Sequence, residues 1–193
     1  VGTSEPGEIA ALRQVAHPDV AVVVTVGPSH VEGLGGMEGV WKEKLSLLER
    51  LPAHAQVVVG DEPPELADRA REAAPGHPLT VAGLSDRADQ GWRGRLLESD
   101  ADGRWRVGLP GGSVQVPVPG VHGARCALLA LAVAERVGVE LDQARAGLAG
   151  TRLPPLRSQL RRLPGGTLLV DCYNANPQST RAALAWLATL PSQ

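Results

Sequence analysis

The sequence predicts an α/β protein: a mostly parallel sheet with flanking helices plus a small antiparallel meander, followed by the start of a second α/β domain. Three observations carry this expectation. "VAVVVTV" (Val20 to Val26), "AQVVVG" (Ala55 to Gly60) and "PLTVAG" (Pro78 to Gly83) are apolar, β-branched runs, the first two without alternation. Such runs suit strands covered on both faces, as in a parallel sheet. Helical patterns stand between these runs, giving the strand–helix alternation of a parallel unit. From Gly91 to Pro119 the period changes to two, with Trp105, Val107 and Leu109, then Val114, Val116 and Val118, alternating with polar or small residues. That is the pattern of antiparallel strands with one wet face.

In chain order, Pro6-Gly7-Glu8 leads into a helix through about Ala16, with Ile9, Leu12 and Val15 or Ala16 on one face. The first strand is followed by the Gly27-Pro28-Ser29-His30 loop and a helix from about Gly36 to Leu51. "PPELADRAREA" is the helix before the third strand. Turns at Asp100-Ala101-Asp102-Gly103 and Pro110-Gly111-Gly112 punctuate the meander. A nearly all-apolar helix from about His122 to Val137 reads as buried, and a second runs from about Glu140 to Leu148. "TRLPPLRS" (Thr151 to Ser158) holds two prolines and reads as a hinge, dividing the chain into residues 1–153 and 154–193. Beyond it "GGTLLVD" is a strand and Pro177 to Leu190 a helix, whose Leu184, Leu187 and Leu190 lack a complete sheet to cover them.

The chain has 193 residues, 43% of them hydrophobic, which is ample for a core and argues against disorder. A net charge of -2 with mixed signs leaves no basic face for nucleic acid. The longest span-like apolar run, Cys126 to Gly138, meets Glu135 too early to cross a bilayer, so no membrane span is expected. No signal peptide opens the chain, and Cys126 and Cys172 lack metal-site spacing; a cytoplasmic location is the expectation. The absence of an initiator Met, and an ending just past a helix, read as a piece of something longer.

Two places concentrate polar chemistry. In the helix near Gly36 to Leu51, Met37, Trp41, Leu45 and Leu48 form one stripe, widened by Val40 and Leu51, and Lys44 falls inside it. Either Lys44 snorkels from the edge of that face, or it points inward to an anion or metal-bearing site. His30 stands just past the carboxyl end of a strand, where open α/β sheets bind ligands; as a loop residue with Glu32 beside it, a solvated surface role is equally open. The second place is "LLVDCYNANPQSTRAAL", Leu168 to Leu184. A polar loop that runs into a helix preset by Pro177 suits an anionic or nucleotide ligand. The other reading is that Asn174 and Asn176 only shape the turn and cap the helix.

Together these stretches resemble the Mur ligases, the MurF type most closely: enzymes adding D-alanyl-D-alanine to UDP-N-acetylmuramoyl-tripeptide. "GTSEPGEIAAL", "VGPSHVEGLGGMEGVWKEK", "PGVHGARCALLALAVA" and "VDCYNANPQS" are similar to family segments in family order, the last being the most specific. The resemblance implies that residues 1–153 belong to the central, ATP-binding domain and 154–193 to the beginning of the C-terminal domain. It implies ATP and Mg2+ as cofactors, His30 as a metal ligand, and Lys44 as a carbamylated lysine acting as a carboxylate-like ligand. It also implies that His122, Arg157, Asp171, Tyr173, Asn174 and Asn176 face the nucleotide.

The resemblance further implies a Gly-Lys-Thr or Gly-Lys-Ser phosphate loop and a metal-binding Glu, both expected before Val1. The chain departs from the family pattern at Gly123 and Cys126, where Asn is usual, and at Ser46, where an acidic residue is common. Two other readings remain: a non-catalytic α/β binding module, and another amide ligase of the Mur or folylpolyglutamate type. The YNANP stretch counts against the latter.

Overall fold

The computed structural model of the chain describes residues 2–190. Its centre is a parallel sheet of β1 (Val20–Val23), β2 (Gln56–Gly60) and β3 (Leu79–Ala82), in the order β1-β2-β3. Ala21 lies opposite Val57, and Val58 opposite Thr80. The middle strand is buried from Val57 to Gly60, as its continuous apolar run requires. Its side chains alternate between two cores. Val57 and Val59 face one with Val40, Leu48, Leu66 and Val81. Val58 faces the other with Ala82, Val107, Val116, Leu128 and Leu131.

The first core is closed by α2 (Met37–Leu45) with a 3-10 turn at Ser46–Leu48, and α3 (Leu66–Ala73), while α1 (Glu8–Ala16) packs outside against α2 and that turn. The second is closed by α4 (Gly120–Arg136), with α5 (Leu141–Ala149) packed outside it. The meander of β4 (Arg95–Ser99), β5 (Trp105–Leu109) and β6 (Gly112–Gln115) is antiparallel and presents Val107 and Val114 to α4. Residues 151–158 carry no helix or strand, as the two prolines predict. After them come the hairpin β7 (Gln159–Leu163) and β8 (Gly166–Val170), then α6 (Pro177–Leu187).

Four local expectations are corrected. β1 ends at Val23, not Val26, and buries alternate residues; among the described residues it pairs on one side only, so Val24 emerges half exposed. In α1 the buried side chains are Ile9 and Arg13, whereas Val15 is 82% exposed. The reason is that α1 packs by its Arg13 stem and head, the guanidinium donating to the carbonyl of Arg50 at 3.3 Å. The helix of the Gly36–Leu51 stretch stops at Leu45, and Met37 is exposed, so the apolar stripe is shorter than its period implies. Strand β7 went unread because "QLRRL" carries two arginines where a covered strand would be apolar; no residue of it is buried.

Candidate active site

The carboxyl ends of β1, β2 and β3 open into a cleft of about 850 Å³, whose lining includes Gly27, Trp41, Asp61, Ser85, Gln178 and Arg181. This is the position at which parallel sheets bind ligands. The start of α6 leans over it: a Cβ on Gly27 would fall 2.2 Å from Gln178 Oε1, so a side chain there would have to push the exposed Gln178 amide aside.

Asp61, at the end of β2, anchors the floor. Its carboxylate accepts the amides of Leu84 at 2.8 Å and Ser85 at 2.6 Å and pairs with the Arg125 guanidinium from α4. Arg125 reaches Glu62 as well, at 2.6 Å. Burial alone would raise the Asp61 carboxyl, but Arg125 and the Ser85 amide outweigh it and hold the pKa below the ordinary range. On the rim, Arg69 makes a bidentate pair with Glu38, both bonds 2.8 Å, and its guanidinium lies 4.6 Å from the Trp41 ring centre.

Of the residues singled out from the sequence, His30 is exposed in the turn after β1, with φ 53°. Its nearest charged influence is on Glu8, whose carboxyl is kept low first by the amides of Ser4 and Glu5. Lys44 is half-buried in the last turn of α2, and among the described residues its amine makes no ion pair. Its neighbour Glu43 is the charged residue that α2 turns fully inward, at 5% exposure. It accepts the amides of Gly7 at 2.7 Å and Ile9 at 2.8 Å, with the Thr3 hydroxyl at 3.1 Å. Burial pushes the Glu43 carboxyl up, but these bonds overcome it and the net shift is downward. Among the described residues no group of three or more His, Cys, Asp or Glu is arranged to hold a metal.

The other six predicted residues gather around the hinge. His122 is half-buried in the first turn of α4; burial lowers its pKa, and the charge of Asp171 offsets that only in part. Asp171 accepts the amide of Ser158 at 3.1 Å. The amides of Cys172 and Tyr173 donate to the Leu156 carbonyl at 3.0 and 3.2 Å, and Arg157 lies over the Tyr173 ring at 4.2 Å. Leu156 and Ser158 hold left-handed backbone (φ 63° and 47°), a conformation that costs side-chain-bearing residues free energy and is kept by these contacts. Asn174 and Asn176 are engaged locally. Asn174 Oδ1 accepts the Ala175 amide, and Asn176 forms a capping box with Ser179 at the start of α6.

Sequence reasoning missed Asp61, Arg125 and Glu43. A signal existed for the first two: an acidic pair directly after a buried strand, and a lone arginine in an otherwise apolar helix stretch. Glu43 had none, because α1's approach is needed to supply its donors.

Fold and site define an α/β protein whose polar groups gather at the carboxyl ends of a parallel sheet and beside the proline-bearing stretch 151–158. The family model described as the Mur ligase middle domain matches residues 1–134, and the chain belongs to that family. Curated relatives are of the MurF type. A UDP-N-acetylmuramoyl-tripeptide--D-alanyl-D-alanine ligase of Treponema pallidum is 31% identical, covering 95% of this chain and 38% of the relative. The one from Mycobacterium tuberculosis (strain H37Rv) is 34% identical, covering 96% and 37%. Among solved structures, MurF from Acinetobacter baumannii superposes with a TM-score of 0.86 at 26% identity, covering 99% of this chain and 42% of that one. The structure described as the apo form of L. casei FPGS shares the fold at a TM-score of 0.69 and 20% identity. The chain thus spans 37 to 38% of the length of these curated relatives.

Proposed function

We propose that residues 1–153 form most of the central, ATP-binding domain and residues 154–193 the beginning of the C-terminal domain of a MurF-type ligase. The reaction is ATP-dependent amide bond formation in peptidoglycan precursor synthesis, in the cytoplasm, where ATP is available. A carboxylate oxygen of UDP-N-acetylmuramoyl-tripeptide attacks the γ-phosphorus of ATP, and ADP leaves. The amine of D-alanyl-D-alanine then attacks the acyl carbon of the acyl-phosphate, giving up a proton as phosphate departs. The observation carrying this reading is the set of contacts at the start of the second stretch, where Arg157 lies over Tyr173 and Asp171 accepts the Ser158 amide, in a chain whose MurF-type relatives align along 95% of it.

In this reading His122 and Asp171 face the nucleotide. The Arg157–Tyr173 stack presents a cation and an aromatic face to it, and Asn174 and Asn176 shape the loop that carries them. His30 and carbamylated Lys44 would hold Mg2+. Two donors from the chain, with water and phosphate oxygens completing the shell, is an ordinary arrangement for this ion. When bound, Mg2+ neutralises charge on the transferring phosphoryl group. The half-buried setting of Lys44 suits a carbamate held against a cation, since carbamylation turns the ammonium into an anion whose charge bound Mg2+ would offset. The 193 residues contain no Gly-Lys-Thr or Gly-Lys-Ser phosphate loop, so the chain alone should ligate little or nothing.

The test is Lys44→Ala in the ligase carrying its upstream phosphate loop. Ligation measured as ADP release dependent on D-alanyl-D-alanine should be abolished, with partial return on adding small carboxylates. Unchanged rates would overturn the assignment.

A further inference from the structure

Trp186 is the one buried residue of α6 among those described, at 4% exposure, while Leu184 and Leu187 on the same helix stay exposed. Its indole N–H donates to the backbone carbonyl of Asp102 at 3.0 Å, across 84 positions of sequence. The Asp102 carboxylate takes a second long-range partner: Arg162 of β7 donates to it at 2.6 Å. Arg162 is itself steadied by the Thr167 hydroxyl at 2.8 Å. Two elements that follow the hinge therefore converge on a single residue of the β4–β5 turn.

The turn is shaped to receive the indole. Gly103 has φ 76°, and a Cβ there would stand 2.3 Å from Trp186 Nε1. Gly103 accepts the amide of Gly120 at 2.8 Å, at the start of α4. Gly120 in turn lies under both the His122 imidazole and Trp186: its Cβ would fall 2.8 Å from His122 Cε1 and 3.7 Å from Trp186 Cβ. A buried aromatic ring with its N–H satisfied is the ordinary form of an interface anchor. Neither β7 nor β8 contributes a buried residue, so the hairpin has no apolar anchor of its own.

We propose that Trp186 and Arg162, closing on Asp102, form a clasp that docks residues 159–187 on the meander and, through Gly120, fixes the His122 imidazole against the start of α4. The clasp uses no nucleotide and no metal, so it stands independently of the ligase reading. Trp186 carries it, since its ring is buried; the Arg162–Asp102 pair is partly exposed and adds direction more than strength.

The test uses the 193-residue chain with Trp186→Ala, Trp186→Phe and Arg162→Gln. Tryptic cleavage after Arg152 and Arg157 reads release of the hinge, because cutting follows the open population when reclosing is fast. The His122 imidazole resonances and the hydrogen exchange of β2 amides are read beside it. Trp186→Ala should speed hinge cleavage by about tenfold or more and shift the His122 resonances, with β2 protection unchanged. Trp186→Phe, which keeps a ring but loses the N–H, should fall between it and wild type. Unchanged cleavage and unchanged His122 resonances in Trp186→Ala would overturn the clasp. So would equal loss of β2 protection in the Ala and Phe variants, which would make Trp186 a support of the whole fold.

Discussion

Asp61→Ala is the perturbation that most directly examines the floor of the cleft. The Asp61 side chain is 1% exposed and Arg125 22% exposed. Removing one partner of a buried, hydrogen-bonded ion pair costs about 3–5 kcal/mol, because the other charge is left without compensation. Arg125 keeps some water and retains Glu62, which places the loss at the lower end, about 3 kcal/mol. The amides of Leu84 and Ser85 lose their acceptor as well, which prevents a smaller figure. For a chain of this size that corresponds to a drop of about 6–12 °C in Tm.

Urea unfolding followed by circular dichroism gives the difference, with m expected to hold if only the folded state has changed. Arg125→Leu supplies the control. It removes the guanidinium among apolar neighbours, so the double variant should lose about 2 kcal/mol less than the two single losses added together. A loss below about 1 kcal/mol for Asp61→Ala, or strict additivity, would refute the pair as the tie between β2 and α4.

Two further outcomes are expected. The Glu43 carboxyl titrates below its ordinary value in the folded chain, so its contribution is fully present above about pH 4.5 and is lost as pH falls through the lowered folded value. Acid unfolding of Glu43→Gln should therefore show a shallower fall in stability than wild type between about pH 5 and pH 3; identical slopes would show that Glu43 is not linked to folding. Asn176→Ala removes the acceptor for the Ser179 amide at 2.8 Å and should cost about 1 kcal/mol, with faster hydrogen exchange confined to the first turn of α6.

The covered strand β2 and the alternating β5 were legible because their neighbours impose a period on the sequence: two buried faces in one case, one wet face in the other. Val20 to Val26 was over-read, since the same apolar run is compatible with an edge strand that leaves the sheet after four residues. The irregular backbone of residues 151–158 was legible from its prolines. The Arg157–Tyr173 stack was not, because it depends on the left-handed backbone at Leu156 and Ser158, for which neither residue carries a signal. Of the two readings of the Asn pair, the structure bears on the second: both bond to the backbone of their own turn. Asn176 caps α6 through the Ser179 amide, and Asn174 accepts the Ala175 amide.

That cap has a consequence for recognition. Because Asn174, Asn176 and Ser179 bond to the backbone around them, the loop's conformational freedom is given up when the chain folds rather than when a ligand arrives. An incoming molecule then meets a surface already in shape, and the entropy lost on association is smaller by the torsions that no longer need to be frozen.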